Sequence, residues 1–207
     1  MSVRGPLAAI LLVGAAAAVA GPTAAELRGE AERGRALFTR KECARCHKPR
    51  GERGLGPPLE ELRRRQGILE LAGRLWNHAP AMLGVFEYEK LEWPRLSTPE
   101  MADLVAYLQA DPARDPTPDL SAGQVTLVRK GCLKCHRLRG EGGAVGIEFT
   151  EYHGGYESPV AWATTIWNHS PRMAGHTARL GVLYPRFTGE EMANLFGFLR
   201  SVGAPSR

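Results

Sequence analysis

The chain has 207 residues, of which 43% are apolar and 24% charged, a balance that excludes an intrinsically disordered protein and leaves room for one ordinary domain or two small ones. The formal net charge of +5 falls to +4 without residues 1–25. Outside the triplet Arg63-Arg64-Arg65, read as a solvated helix face, the basic residues are scattered, which speaks against a nucleic-acid partner.

In chain order, the first predicted element is a targeting segment. Arg4, an apolar run from Leu7 to Ala20, and the small-x-small sites Ala18-Val19-Ala20 and Thr23-Ala24-Ala25 describe a signal peptide over residues 1–25. The alternative is an uncleaved anchor that tethers the N-terminus to a membrane. No further apolar run of that length follows, so the remainder is expected to be soluble, exported and periplasmic.

A charged amphipathic run from Glu26 to Lys41 predicts a helix, and Cys43-Ala44-Arg45-Cys46-His47 follows it. The next helix is expected from Leu62 to Asn77, with Leu62, Ile68, Leu69, Ala72 and Leu75 at mostly helical spacing. Its end carries the heptapeptide WNHAPAM, residues 76–82. Pro80 disfavours helical geometry at Ala79 and cannot donate to the ladder, so the helix is expected to stop near Asn77 or His78 and leave Met82 in a loop. Ser97-Thr98-Pro99-Glu100 caps another helix. Asp111 to Asp119, with three prolines, predicts a stiff extended linker. Beyond it the series returns, and no alternating strand pattern of useful length appears.

The second series is a copy of the first. Cys132-Leu133-Lys134-Cys135-His136 lies 89 positions after the first cysteine motif, and WNHSPRM at 167–173 lies 91 positions after WNHAPAM. Arg40-Lys41 pairs with Arg129-Lys130, Gly34 with Gly123, Trp93-Pro94-Arg95 with Tyr184-Pro185-Arg186, and Glu100-Met101-Ala102 with Glu191-Met192-Ala193. This pattern reads as a whole-domain duplication. The domains are expected at 26–110 and 121–207, joined by a linker at 111–120.

Both cysteine motifs read C-x-x-C-H, the pattern that attaches c-type haem. Two thiols one helical turn apart can add to the two vinyl groups of a porphyrin, and the adjacent histidine then lies under the iron. No βαβ pattern supports a thioredoxin-type pair. The two pairs are also too far apart for a shared zinc site. The expected cofactors are two covalently bound haem c groups, attached through Cys43, Cys46, Cys132 and Cys135, with His47 and His136 as iron ligands.

Two tandem segments, each with C-x-x-C-H near its start, a methionine between and an aromatic-bearing last helix, resemble class I cytochrome c domains in a dihaem cytochrome, broadly of the cytochrome c4 type. The resemblance implies an all-α fold of two cytochrome c-like haem domains. It also implies a crossing of first and last helices at Gly34 and Phe38 with Leu104 and Tyr107, and at Gly123 and Leu127 with Leu195 and Phe198. The Pro of Gly56-Pro57-Pro58-Leu59 is expected to take the N–H of His47. Around Gly146-Ile147-Glu148 no such proline exists, and what holds His136 is open.

For the opposite face of each iron the candidates are Met82 and Met173, with His78 and His169 as alternative distal ligands. The predicted helix stop and the loop-borne methionine of the resembling family favour methionine. Trp76 and Trp167 are expected to line the haem, with an indole N–H available to a propionate. Met101 and Met192 read as core, and His153 and His176 as surface or structural residues.

Irons with both axial positions filled leave no substrate site. The expected function is therefore electron transfer between redox partner proteins, a donor and an acceptor. The alternatives are a haem subunit of a larger periplasmic or membrane oxidoreductase and a peroxidase-like haem enzyme with one open iron.

Overall fold

A computed structural model describes residues 28–152 and 154–203. The expected signal peptide and His153 lie outside the described residues. Among the described residues no helix is long and apolar enough to cross a membrane.

The described chain is mostly helical. Helix α1 (Ala31–Arg40) buries Gly34, Leu37 and Phe38, the i, i+3, i+4 stripe of an amphipathic helix. It crosses α5 (Thr98–Tyr107) at Gly34, where an added Cβ would lie 2.1 Å from the carbonyl oxygen of Asp103. Asp103 secures the crossing by accepting from the Glu30 N–H (2.8 Å) and from Arg33 through two nitrogens (2.9 and 2.8 Å). The Phe38 and Tyr107 rings meet at 5.5 Å beside it.

Helices α6 (Leu120–Arg129) and α8 (Glu191–Gly203) repeat this crossing at Gly123, whose added Cβ would lie 2.1 Å from the carbonyl oxygen of Asn194. Leu127 takes the place of Phe38 and is fully buried. The crossing residues expected from the resemblance thus come together in both halves.

The caps follow the sequence. Ser97 and Glu100 form a reciprocal capping box at α5, Asp119 caps α6 through the Ala122 N–H, and Ser158 caps α7 (Pro159–Arg179) through the Ala161 N–H.

Between each pair of crossing helices runs one long helix: α4 (Ile68–Tyr88) in the first half and α7 in the second, 21 residues each. They pack against one another and form the spine of the molecule. Here the sequence expectation is corrected. Pro80 and Pro171 sit inside these helices, which run on to Tyr88 and Arg179. An interior proline costs about 3 kcal/mol or more. Against that, beyond Pro80 α4 buries Phe86 and half-buries Met82, Leu83 and Val85, and a large side chain fully buried contributes about 1.5–3 kcal/mol. Burial of this C-terminal stretch offsets the local penalty.

The linker is docked rather than free. Asp115 accepts from the Leu69 N–H at 2.7 Å and so caps α4, whose own N-cap Gly67 has no side chain to do so. Pro118 packs against Gly197, where an added Cβ would lie 2.3 Å from the proline ring. The only strands among the described residues are β1 (Arg137–Leu138) and β2 (Glu141–Gly142), an antiparallel pair pairing Arg137 with Gly142. Two short helices, α2 (Cys43–Cys46) and α3 (Leu59–Leu62), and two 3₁₀ turns, Pro112–Arg114 in the linker and Cys132–Lys134, complete the elements among the described residues.

Candidate functional site

Each cysteine motif follows a sharp turn. The chain leaves α1 through Glu42 (φ +66°) and α6 through Gly131 (φ +72°), both left-handed, and enters α2 and a 3₁₀ turn at Cys132–Lys134. None of the four cysteines is paired in a disulfide. Burial of the sulfur pushes Cys43 up to about 12 and Cys132 up to about 11. At Cys43 and Cys132 the shift runs opposite to the lowered pKa of an exchange-active thiol.

His47 and His136 are both buried. A carbonyl can only accept, so the contact of His47 Nδ1 with Pro57 O at 3.0 Å fixes the proton on Nδ1 and leaves Nε2 with a lone pair. The Pro57 carbonyl thus plays the part expected of it. In the second half the Ile147 carbonyl takes the same place, 3.2 Å from His136 Nδ1, which answers the open question about His136. A glycine precedes the accepting residue in each case and lies flat against the ring. An added Cβ at Gly56 would be 2.5 Å from His47, and one at Gly146 would be 2.4 Å from His136.

Across from these rings stand the histidines of the repeated heptapeptide. The His47 and His78 centroids are 6.2 Å apart, and those of His136 and His169 are 6.0 Å apart. That separation leaves room for one atom bonded at about 2 Å to a nitrogen of each ring. His169 Nε2 is buried with no hydrogen-bond partner, an arrangement that is costly unless something binds there. Burial, followed by the neighbouring His136, holds His169 down to about 4, and burial also lowers His78 and His136. Neutral imidazoles are the form that ligates metal.

Because α4 and α7 continue through their prolines, His78 and Met82 lie at i and i+4 of one helix, as do His169 and Met173. In the second half a cavity of about 1200 Å³ is lined by Cys132, Cys135, His136, His169 and Met173. His176 also lines it, its Nδ1 within 3.0 Å of Arg179. The free Nε2, the glycine-bared ring faces and this cavity beside the paired thiols fit a covalently attached haem.

The two tryptophans are placed differently from the expectation. Trp76 donates its indole N–H to Pro185 O at 2.6 Å, and Trp167 donates to Pro94 O at 2.6 Å, each in the opposite half. Neither N–H is free for a propionate. Trp76 stacks on Tyr184 at 4.8 Å and lines the cavity of the second half, while Trp167 lies against Trp93 at 4.4 Å.

Asn77 and Asn168 work beside them. Asn77 donates to Phe187 O (2.6 Å) and accepts from the Phe187 N–H (2.7 Å), and Asn168 does the same with Leu96 (2.7 and 3.0 Å). Lys41 and Lys130 hold the same loops from behind, donating to Arg95 O and Arg186 O at 2.7 Å each. Sequence reasoning gave these residues no role, although their recurrence in both copies was the available signal.

Met101 and Met192 are fully buried in the core, as expected.

No curated protein and no solved structure matches the chain. Residues 31–110, which carry the first C-x-x-C-H motif, His78 and Met82, match the family model described as Cytochrome c. That match, confined to residues 31–110, supports a c-type cytochrome domain there, a haem-based electron-transfer unit with covalently bound haem c, and suggests redox protein partners.

Proposed function

We propose that the protein is an exported, periplasmic dihaem cytochrome of the c4-like arrangement. Two tandem cytochrome c domains, 26–110 and 121–207, carry single electrons between a donor and an acceptor protein. The observation that carries this reading is the facing pair of imidazoles in each half, at 6.2 and 6.0 Å, each beside its own Cys-x-x-Cys. Haem, when bound, supplies an iron that gains and loses one electron. The protein's residues do the rest. Cys43 with Cys46, and Cys132 with Cys135, anchor the group, while the Pro57 and Ile147 carbonyls orient His47 and His136.

For the opposite ligands we propose His78 and His169 in place of the expected Met82 and Met173. The support is the orphaned His169 Nε2 and the loss of the argument from Pro80, since α4 does not stop there. A second reading keeps methionine, because Met173 lines the same cavity as His169 from the same helix.

Intact mass of the purified chain gives the haem count, expected to be two. Ferric spectra then separate the ligands. His78→Ala and His169→Ala should each convert one haem to high spin, whereas Met82→Ala and Met173→Ala should leave both low-spin. The reverse result restores methionine. A high-spin signal from one haem in the unmodified protein would favour an enzyme over a carrier. Co-elution of the native protein with a larger oxidoreductase would make it a subunit of that complex.

A further inference from the structure

Among the residues lining the second-half cavity, only Trp76 and Arg95 come from the first half. Arg95 is held over it from both sides, since its neighbours Pro94 and Leu96 are bonded to Trp167 and Asn168, the two residues that precede His169. Its own carbonyl is fixed by Lys41. Among the described residues the Arg95 guanidinium makes no hydrogen bond or ion pair, whereas Arg33, Arg45 and Arg64 are all paired with carboxylates. A backbone held by four hydrogen bonds thus carries an uncommitted planar cation at the mouth of a cavity.

The Tyr184 ring lines the same cavity, but its hydroxyl is buried beside the Ser170 hydroxyl, which donates to Ile166 O and keeps lone pairs to accept. The planar Arg95 guanidinium is therefore the uncommitted donor on this side of the cavity, and its fork of N–H groups suits a carboxylate. The mirror residue Arg186 keeps the same frame in reverse, flanked by bonds from Trp76 and Asn77 to Pro185 and Phe187, and its charge is felt at the His78 ring.

We propose that Arg95 of the first half holds a propionate carboxylate of the haem attached to Cys132 and Cys135. The second haem site is completed in trans, and the Trp-Asn dipeptide before His169 is the device that brings the arginine there. This inference rests on the haem reading above.

The test is NMR of the full-length holoprotein, with each haem's resonances assigned through its own thioether bridges and followed from pH 4 to 9. An opposing cation lowers a carboxylate pKa by about 1 to 3 units. In Arg95→Gln the propionate pKa of the Cys132–Cys135 haem should rise by at least about one unit, a tenfold change, while the Cys43–Cys46 haem stays put. Arg95→Lys should restore most of it, and Tyr184→Phe, whose lost hydroxyl is buried beside Ser170, should leave both haems unmoved. The thermal midpoint of the holoprotein should fall in Arg95→Gln at pH 7 and stay unchanged at pH 4, because the pair with the carboxylate exists only where the propionate is ionised. Two haems with propionates unmoved in Arg95→Gln, or a change confined to the Cys43–Cys46 haem, overturn the carboxylate site and leave the functional reading standing. A wild-type chain without covalent haem overturns the functional reading, and this site with it.

Discussion

The indole N–H of Trp76 donates to Pro185 O at 2.6 Å, and Trp167 returns the same bond to Pro94 O at 2.6 Å, so each half closes a loop of the other. With the paired bonds of Asn77 to Phe187 and of Asn168 to Leu96, six hydrogen bonds cross between the halves at these four residues. Asn77→Ala removes one partner from both the N–H and the carbonyl of Phe187 in a partly buried setting. Each unsatisfied group costs about 1–3 kcal/mol, so a loss of about 2–4 kcal/mol is expected, and Asn168→Ala should match it. Thermal unfolding of the holoprotein measures both. Equal midpoints for wild type and either variant would mean the crossed bonds do not hold the halves together.

The glycine crossings allow a second check. At Gly34 an added methyl would meet the backbone of Asp103 at 2.1 Å, with Tyr107 Cβ at 2.7 Å behind it. Backbone cannot move aside as a flexible side chain does, so Gly34→Ala should cost about 3 kcal/mol, the upper end of overpacking penalties, despite alanine's better helix propensity. Gly84→Ala, at an open position of α4, is the control and should be neutral or stabilising. Urea midpoints of the two variants decide it, and similar values for both would remove the close crossing as a constraint.

Asp115 gives a pH dependence. Burial, the largest influence, raises its carboxyl from 3.8 to about 6, and Asp111 and Glu70 add to the rise. A raised folded-state pKa means that the fold favours the protonated form, so this contribution is fully present below about pH 4 and is lost as pH rises through about 6. Asp115→Asn keeps an acceptor for the Leu69 N–H and carries no charge. It should abolish the decline between pH 4 and 6 and be at least as stable as wild type at pH 7. Urea unfolding at several pH values tests this, and a decline that survives in the variant assigns it to another group.

Glu148 has the opposite sign. Hydrogen bonds from Gly140 N–H first, and then from Thr150 and Arg139, hold its carboxyl down to about 2 against 4.5. Its stabilisation is present above about pH 4.5 and is lost as pH falls toward 2. The carboxylate closes a turn with Arg139 at φ +53° and Gly140 at φ +83°, next to the Ile147 carbonyl that orients His136. Glu148→Gln should flatten the acid limb of the stability profile and, on the dihaem proposal, broaden the ferric spectrum of the second-half haem alone, since the first half has Pro58 at this place. An unchanged acid limb would remove Glu148 as its source.

The sequence by itself determined the parts whose chemistry is local. A C-x-x-C-H run needs no distant partner to be read, because the two thiols and the imidazole lie within five consecutive residues. The Ser97–Glu100 box lies within one turn of helix, and duplication made every such signal appear twice. The Gly34 and Gly123 crossings were legible only because a resemblance named the helices that meet there. What tertiary structure decided was set by residues far apart in the chain. Pro80 reads as a helix stop by its own geometry, yet α4 continues because burial of Phe86 against Trp93, with that of its partly buried neighbours, offsets the lost hydrogen bond. Trp76 reads as the wall of its own pocket and Asn77 carries no reading at all, yet they bond to residues 109 and 110 positions away, through contacts that exist only once the halves are packed. Ile147 could replace Pro57 because the function lies in a main-chain carbonyl, which every residue has, and only the folded path of the loop determines which carbonyl points at the histidine.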